Sequence, residues 1–142
     1  MMLFLAQSDT TVGFLSQEPT PINRAKGRNA TQKILQTITS FVDIQGRVPK
    51  SHRKGVRRAQ KTTFVLPNGY AFRRVDANSL HGRWLRDVGP LYSSSANPTQ
   101  GAFDSDFAYA KADCVVTDAR GLFEGKASRM VRLGKHKTKR LR

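Results

Sequence analysis

The stretch LYSSSANPTQGAF, Leu91–Phe103, decides how the rest of the sequence is interpreted. An apolar Leu-Tyr pair begins a strand-like segment that continues into three consecutive serines and then Ala-Asn-Pro. Side chains alternate between the two faces of a strand, so a regular strand would project Ser93 and Ser95 to one side and Ser94 to the other. A serine triplet occurs in ordinary turns, but hydroxyl and amide groups at a strand end also indicate a polar ligand site.

The charge of the chain indicates an anionic partner. The 142 residues include 25 Lys and Arg but only 10 Asp and Glu, which gives a formal net charge of +15 and a pI near 11.0. Such an excess repels itself in a compact fold, so it usually accompanies binding to nucleic acid, a phosphorylated ligand or an acidic membrane surface. The length fits a single domain over residues 1–142, of which 131–142 is predicted to be a basic strand or tail.

Cysteine content and the first residues narrow the class further. Cys114 is the only cysteine, so no intramolecular disulfide can form, and one thiol with three scattered histidines does not make a zinc site. Cys114 lies in the apolar run ADCVV, where we expect a buried structural thiol rather than a nucleophile. The opening MMLFLA is too short to cross a bilayer and lacks a cationic start, which predicts a cytoplasmic protein without membrane contact.

Apolar runs and turn residues predict an α+β fold in which helices flank a mixed twisted sheet. Strands are predicted at 3–6, 62–66, 70–75, 91–95, 114–118 and 129–133, and the second and third of these form a hairpin around Pro-Asn-Gly. Helices are predicted from Thr20, as N-cap, to Gly27, over Asn78–Val88 and over Ala102–Ala112. Segment 34–44 mixes helical and strand periods, and its structure stays open.

Two further predictions concern local geometry. Asn68 and Gly69 are expected to supply the positive φ angles of a tight hairpin. In the helix over 78–88, Leu80, Trp84 and Val88 lie on one face, which we expect to be buried, and Gly89 is expected to end the helix.

The sequence lacks the motifs of several common enzymes. It has no Gly-rich phosphate loop, no cluster of histidines and carboxylates and no recognisable Ser-His-Asp set, so neither a protein nucleophile nor a protein-held metal is predicted. It does have hydroxyl-rich turns at predicted strand ends, together with Lys and Arg. Such turns hold phosphates, because hydroxyls and backbone amides donate to the oxygens while the cations offset the charge.

Taken in order along the chain, these pieces resemble the YrdC-like threonylcarbamoyl-AMP synthases. The matching pieces are S-D-T-x-x-G from Ser8, K-G-R from Lys26, T-F-V-L from Thr63, an arginine at Arg73, S-S-S-A-N from Ser93 and S-R-M-V from Ser128. The family patterns are T-D-T-V-Y-G-L, K-x-R-P, P-G-P-x-T, A-V-R, S-T-S-A-N and S-T-I-V. The S-x-S-A-N piece is the most specific, and the shortened connections imply a reduced member with a YrdC/RibB-like fold.

The resemblance implies a defined reaction. Members of this family condense L-threonine, bicarbonate or carbon dioxide, and ATP into threonylcarbamoyl-adenylate and release pyrophosphate, with Mg²⁺ accompanying the ATP. A downstream threonylcarbamoyl transferase complex then passes the group to tRNA. The chemistry needs positioning of two anions and stabilisation of charge rather than a protein nucleophile.

The resemblance also implies the site residues. The residues implied for threonine are Ser8, Ser93, Ser128 and Arg73. The residues implied for ATP are Lys26, Arg28, Thr63, Ser95, Asn97 and Arg142.

Two basic segments favour an RNA partner. Segment 47–61 carries seven Lys and Arg and no acid, and segment 132–142 carries six more. A charge run is often only a solvated loop, but two such runs favour tRNA or double-stranded RNA, bound through its backbone because neither run contains aromatic residues. The predicted RNA-binding residues are Arg47, Lys50, Arg53, Lys54, Arg57, Arg58 and Lys61. Lys61, beside Thr63, is also a candidate for the ATP phosphates.

Three functions stay open on these grounds. The first is the synthase, and the second is a non-catalytic tRNA or double-stranded RNA-binding protein with the same fold. The third is a relative that carbamoylates or binds another small acid. Dependence of pyrophosphate release on threonine and bicarbonate separates the first from the other two.

Overall fold

The computed structural model describes residues 1–142, which form nine β-strands and four α-helices. The strands are β1 (Phe4–Gln7), β2 (Val12–Ser16), β3 (Gln36–Ile38), β4 (Thr62–Val65), β5 (Ala71–Arg74), β6 (Leu91–Ser95), β7 (Cys114–Val116), β8 (Arg129–Leu133) and β9 (Thr138–Arg140). The helices are α1 (Pro19–Ala25), α2 (Arg53–Arg58), α3 (Leu80–Val88) and α4 (Ser105–Lys111). Parallel and antiparallel pairs both occur, so the predicted α+β class with a mixed sheet is confirmed.

The chain divides into two compact units, each made of two segments. Unit 1 comprises Met1–Ile34 and Leu91–Lys126, and unit 2 comprises Leu35–Pro90 and Ala127–Arg142. The assignment of residues 1–142 to one domain stays a prediction. No helix in the chain has both the length and the apolar character needed to cross a bilayer.

The strands of unit 1 lie in the order β7-β1-β2-β6. β1 and β2 form an antiparallel hairpin, β6 pairs antiparallel to β2, and β7 pairs parallel to β1. All five residues of β2 are buried, because this central strand has the largely apolar sequence VGFLS. Leu5, Phe14 and Ile22 fill the core of the unit, and Phe107 of α4 packs edge-on against Phe14 with 6.2 Å between ring centroids.

Helix α1 positions Lys26 at its C-terminal end. The helix begins at Pro19 and its N-cap is Glu18, so the prediction of Thr20 as N-cap is wrong. The helix can begin at Pro19 because an N–H at the first helical position has no partner within the helix, so proline loses no hydrogen bond there. Lys26 is the C-cap, and Gly27 follows with φ of +66°, a left-handed conformation that glycine adopts without strain.

Strand β7 is more exposed than predicted. It lies at the end of the strand order of unit 1, and all three of its residues are half-buried. The thiol of Cys114 is free and half-buried, so the prediction of a buried thiol is wrong. The reason is that β7 pairs with β1 alone, which leaves its other edge without a strand in this unit.

The strands of unit 2 lie in the order β3-β5-β4-β8-β9. β4 and β5 form the predicted antiparallel hairpin, β3 pairs parallel to β5, β8 parallel to β4, and β9 antiparallel to β8. Ile38, Phe64, Phe72 and Val131 meet in the core of this unit, where Val56 of α2 joins them. Val56 is the one buried residue of α2, so a single apolar side chain anchors this basic helix.

The structure resolves two local questions in unit 2. Segment 34–44 contains both a strand, β3, and a 3₁₀ turn over Phe41–Asp43. In the hairpin, Gly69 has φ of +86° but Asn68 has no positive φ, so that part of the prediction is wrong. Asn68 instead accepts a hydrogen bond from the Tyr70 N–H through its side chain at 3.0 Å, and the Gly69 N–H closes the turn on the Leu66 carbonyl.

Helix α3 buries a different face from the predicted one. The predicted face consists of Leu80, Trp84 and Val88. Leu80 is 42% exposed and the other two are half-buried, whereas His81, Gly82 and Leu85 are buried. The cause is a close approach at Gly82, since a Cβ there would collide with the backbone carbonyl of Asp76. The predicted end at Gly89, which has φ of +89°, is confirmed.

Candidate functional site

The serine strand β6 packs tightly against β2 in unit 1. Ser95 lies opposite Gly13, and a Cβ at Gly13 would come within 3.1 Å of the Ser94 carbonyl oxygen. Glycine at this position therefore allows the two strands to approach closely. Ser93 is buried, Ser94 is half-buried and Ser95 is exposed, so the strand emerges from the core along the triplet.

Lys26 and Arg28 reach this strand from the end of α1. The Lys26 Nζ donates to the Ser95 carbonyl at 2.6 Å, and lies 3.4 Å from both the Ser95 Oγ and the Asn97 Oδ1. The Arg28 Nη2 donates to the Ser94 Oγ at 3.3 Å. We call Lys26, Arg28, Ser94, Ser95 and Asn97 the Lys26 cluster. Four of these residues are implied for ATP. The fifth, Ser94, is predicted from the sequence to lie on the face of the strand opposite to Ser93 and Ser95.

Hydrogen bonds from the following turn fix the Lys26 cluster. The Asn97 Nδ2 donates to the Gly101 carbonyl at 2.7 Å and to the Pro98 carbonyl at 2.9 Å. The Thr99 hydroxyl donates to the Lys26 carbonyl at 2.8 Å. These bonds hold the Asn97 side chain and the end of α1 in place before any ligand arrives.

The electrostatics of the Lys26 cluster favour an anion. Lys26 is only 8% exposed, and its burial, followed by the nearby charge of Arg28, lowers its pKa to about 8. Burial also lowers the pKa of Arg28, and the Arg28 Nε is buried without a hydrogen-bond partner. Two partly desolvated cations with only neutral oxygens as hydrogen-bond partners can bind an oxyanion, which would supply both charge and acceptors.

Ser8 lies in the turn between β1 and β2, where its hydroxyl is already engaged. The Ser8 Oγ accepts from the Thr10 and Thr11 N–H groups at 3.1 Å each and donates to the Thr11 carbonyl at 2.6 Å. The side chain therefore shapes the first-motif turn. Its implied contact with threonine stays a prediction.

Arg120 supports that turn, and sequence reasoning does not identify it. Its guanidinium donates to the Ser8 carbonyl at 3.0 Å and the Gln7 carbonyl at 2.9 Å, and it pairs with Asp118 at 2.6 Å. The Gln7 Oε1 in turn accepts from the Phe123 N–H at 2.8 Å. The signal in the sequence is the pair of opposite charges in D-A-R, which is too common to identify a role.

A second polar cluster lies in unit 2. The Thr63 and Ser128 hydroxyls share a buried hydrogen bond of 2.8 Å, and the Arg142 Nη2 donates to the Ser128 Oγ at 3.0 Å. Arg73, which lies opposite Thr63 on β5, is 3% exposed. Burial, and then the charge of Arg73, lower the pKa of Arg142. This Ser128 cluster (Thr63, Arg73, Ser128 and Arg142) joins two residues implied for threonine with two implied for ATP.

The C-terminal strand explains how Arg142 reaches Ser128. β9 folds back antiparallel on β8, and beyond it the Met130 N–H donates to the Arg142 carbonyl at 3.0 Å. The Arg142 Nε also donates to the Ser128 carbonyl at 2.9 Å. The position of Arg142 beside the Ser128 hydroxyl is thus a consequence of the β8–β9 pairing, and its implied contact with ATP stays a prediction.

The two basic segments of unit 2 lie against each other. All seven predicted RNA-binding residues are exposed, four of them on α2. Before α2, the Ser51 Oγ donates to the Lys135 carbonyl at 2.9 Å, and the His52 Nε2 lies 2.9 Å from the Gly134 carbonyl oxygen. Segments 47–61 and 132–142 therefore form one basic region.

Comparison with known proteins gives no match in sequence but clear matches in structure. No protein-family model matches the chain, and no curated protein matches it. A double variant of P. abyssi Sua5 matches with a TM-score of 0.79 and 20% sequence identity. P. abyssi Sua5 complexed with L-threonine matches with a TM-score of 0.73 and 20% sequence identity. MTH1692 from Methanobacterium thermoautotrophicum gives 0.69 at 17% identity. Full-length HypF in the phosphate- and nucleotide-bound form matches with a TM-score of 0.73 and 10% sequence identity.

These likenesses define the fold. Each match covers 99% of this chain, but the chain spans only about half of the two Sua5 structures, 49% and 50%. It spans 79% of MTH1692 and 26% of HypF. The chain therefore shares its fold with MTH1692 and with about half of Sua5, and the YrdC-like fold predicted from the sequence is confirmed.

Proposed function

We propose that the chain is an L-threonylcarbamoyladenylate synthase that serves tRNA modification. The observation that carries this proposal is the Lys26 cluster, in which two partly desolvated cations meet the hydroxyl and amide groups of the S-S-S-A-N strand. The shared fold with Sua5, one structure of which contains L-threonine, supports the same reaction class.

The proposed reaction makes two bonds in sequence. The amine of L-threonine combines with bicarbonate to give a carbamate and water. A carbamate oxygen then attacks the α-phosphorus of ATP, the bond from that phosphorus to the bridging oxygen breaks, and pyrophosphate leaves with the electron pair. Charge grows on the leaving pyrophosphate, and Lys26 and Arg28 are the groups proposed to stabilise it.

The hydrogen bonds of Lys26 and Arg28 suit this role. Lys26 has one short hydrogen bond to the Ser95 carbonyl and two longer contacts, all with neutral oxygens. A triphosphate oxygen would be a stronger acceptor because it is charged. Arg28 contributes an Nε that has no partner. We assign Ser95 and Asn97 to the nucleotide on the same grounds.

The Ser128 cluster contains further residues proposed for the substrates. The Arg142 guanidinium bonds to Ser128 and the buried Arg73 lies opposite Thr63, so two cations accompany a pair of hydroxyls, which suits a carboxylate or a phosphate. Ser128 and Arg73 are assigned to threonine, and Thr63 and Arg142 to ATP. Ser8 and Ser93, which lie in unit 1, are likewise assigned to threonine.

Magnesium would enter with the nucleotide. No group of three or more His, Cys, Asp or Glu side chains lies together in the chain. The hydroxyl and amide oxygens of the Lys26 cluster are weak ligands for Mg²⁺, which is commonly held through phosphate oxygens and water. Mg²⁺ would therefore be carried by the triphosphate, where it neutralises charge.

Pyrophosphate release tests the proposal. We expect release from ATP only when both L-threonine and bicarbonate are present. Ser95→Ala removes a hydroxyl of the Lys26 cluster and is expected to weaken ATP binding about tenfold. Ser105→Ala, at an exposed serine of α4 outside the cluster, is the matched control and should change nothing. Folded protein that releases no pyrophosphate under these conditions would contradict the proposal.

A non-catalytic RNA-binding function is the second candidate, and the distribution of charge favours it. Unit 2 contains 18 Lys and Arg against 3 Asp, which is a net +15, whereas unit 1 contains 7 basic and 7 acidic residues. The entire net charge of the chain therefore belongs to the unit that carries the basic region. Binding to tRNA or double-stranded RNA that ATP does not affect, without pyrophosphate release, would select this candidate.

A further inference from the structure

A small pocket opens beside α2, at the edge of the basic region of unit 2. Its volume is about 240 Å³. The apolar residues that line it are Phe41, Ile44, Val48 and Val56, and the charged ones are Arg47, Arg53 and Arg57. Pockets for drug-sized ligands measure about 300–1,000 Å³, so this pocket fits a single ring system rather than a large molecule.

The arginines of this pocket are available for an anion. All three are exposed, and none has an acidic partner. The Arg53 Nε donates to the Val48 carbonyl at 3.2 Å, which fixes the start of that side chain. Arg57 has neither a hydrogen bond nor an ion pair. A ligand for this pocket therefore combines a flat apolar part with negative charge next to it.

A nucleotide has this combination. Bases stack on aromatic rings and on guanidinium planes, while Arg binds the adjoining phosphates. The Phe41 ring supplies an aromatic surface, and the Arg74 guanidinium carbon already lies 5.6 Å from its centroid. A base buried in a duplex cannot enter such a pocket, whereas an unpaired base can.

The surroundings of the pocket provide a path for the rest of a polyanion. The contacts of Ser51 and His52 with the β8–β9 turn bring segment 132–142 next to the helix that lines the pocket. On that hairpin, Arg132 and Lys139 are directly opposed across the strands. Like charges in this position repel each other, and a phosphate chain would relieve the repulsion.

We propose that this pocket accepts one unpaired nucleotide of an RNA whose adjoining backbone lies on the basic region. The proposal rests on the RNA contact proposed above and adds the form of RNA that is preferred: a strand with an unpaired residue rather than a continuous duplex. The base contacts the apolar side chains, and its phosphates contact Arg47, Arg53 and Arg57.

The experiment compares two RNAs by fluorescence anisotropy at the same salt concentration. One is a short, fully paired duplex, and the other is the same duplex with a single unpaired nucleotide in its middle. We expect the wild-type chain to bind the second about tenfold more tightly. Equal affinity for the two RNAs overturns the pocket assignment but leaves the RNA contact intact, whereas no binding to either RNA at low salt overturns both.

Three variants locate the effect. Arg57→Gln removes an exposed pocket arginine, and we expect it to abolish the preference for the unpaired nucleotide. Arg58→Gln makes the same change at the next residue of α2, which does not line the pocket. It should weaken binding to both RNAs equally and keep the preference for the unpaired nucleotide. Phe41→Leu keeps apolar volume but removes the ring, and should also reduce the preference. A preference that survives both Arg57→Gln and Phe41→Leu overturns the assignment.

Discussion

Lys26 is the residue of the Lys26 cluster whose charge changes close to neutral pH, so it provides a test of the proposed phosphate binding. Burial, and then the charge of Arg28, lower the pKa of Lys26 to about 8. Its side chain is therefore charged at neutral pH and loses its proton as the pH rises above that value. We predict that ATP affinity falls about tenfold between about pH 7 and about pH 9, because the charged fraction of Lys26 falls about tenfold over this range. Calorimetric titration of ATP across this range measures the effect.

The matched control for this prediction is Lys26→Arg. A guanidinium stays charged throughout the range, so the affinity of the variant should be flat with pH even where it is weaker overall. If the variant kept the wild-type pH dependence, another group would be responsible.

The shared hydrogen bond of Thr63 and Ser128 gives a second prediction for single residues. Each hydroxyl is buried, so Thr63→Val or Ser128→Ala alone leaves its partner without this 2.8 Å bond. We predict that each change lowers the free energy of unfolding by about 1–3 kcal/mol. The double variant should lose less than the sum, because both single changes remove the same shared hydrogen bond. Urea unfolding of the four proteins measures this coupling, and additive losses would argue against it.

For whole elements, the sequence is informative where the signal is local. The Pro-Asn-Gly hairpin and the serine strand are found where their apolar runs and turn residues predict them, and Gly27 ends α1 as expected. The buried face of α3 is not predictable in this way, since it depends on how closely the preceding turn at Asp76 approaches Gly82, which the spacing of apolar residues in the helix does not indicate.

The same limit applies to the candidate site. The hydroxyl and cationic residues of the two clusters follow from the motif resemblance, which orders them along the chain. Their partners do not follow from it, because the bonds of Arg28 to Ser94 and of Arg120 to the β1–β2 turn join residues at least 66 positions apart. Sequence spacing carries no information about such contacts.

Two glycines provide a prediction for the helices. In α3, Gly82→Ala would drive a Cβ into the Asp76 carbonyl, so we predict a loss of more than about 1 kcal/mol in the free energy of unfolding. In α2, a Cβ at Gly55 would meet nothing within 4 Å, and Gly55→Ala should stabilise the protein by about 0.5–1 kcal/mol through the higher helix propensity of alanine. Denaturant unfolding distinguishes the two, and equal effects would contradict the packing described for α3.

At the scale of the whole molecule, the two candidate functions use largely different cations. Phosphate binding is proposed for Lys26 and Arg28, which lie in the unit without net charge, and for Arg142 of the Ser128 cluster. RNA binding is assigned to exposed residues of the unit with a net charge of +15. The two activities are therefore separable by mutation, since a change such as Lys54→Gln on α2 touches neither cluster.

Salt dependence is the measurement that tests this division. If six to ten cations of the basic region contact phosphates, RNA affinity should fall about a thousandfold or more between about 50 and about 200 mM salt. Lys54→Gln should reduce the slope of log affinity against log salt by about one. Lys33→Gln, at an exposed cation of unit 1, should leave the slope unchanged because that unit has no excess charge to attract the RNA. Equal reductions in both variants would mean that RNA contacts the cations of both units.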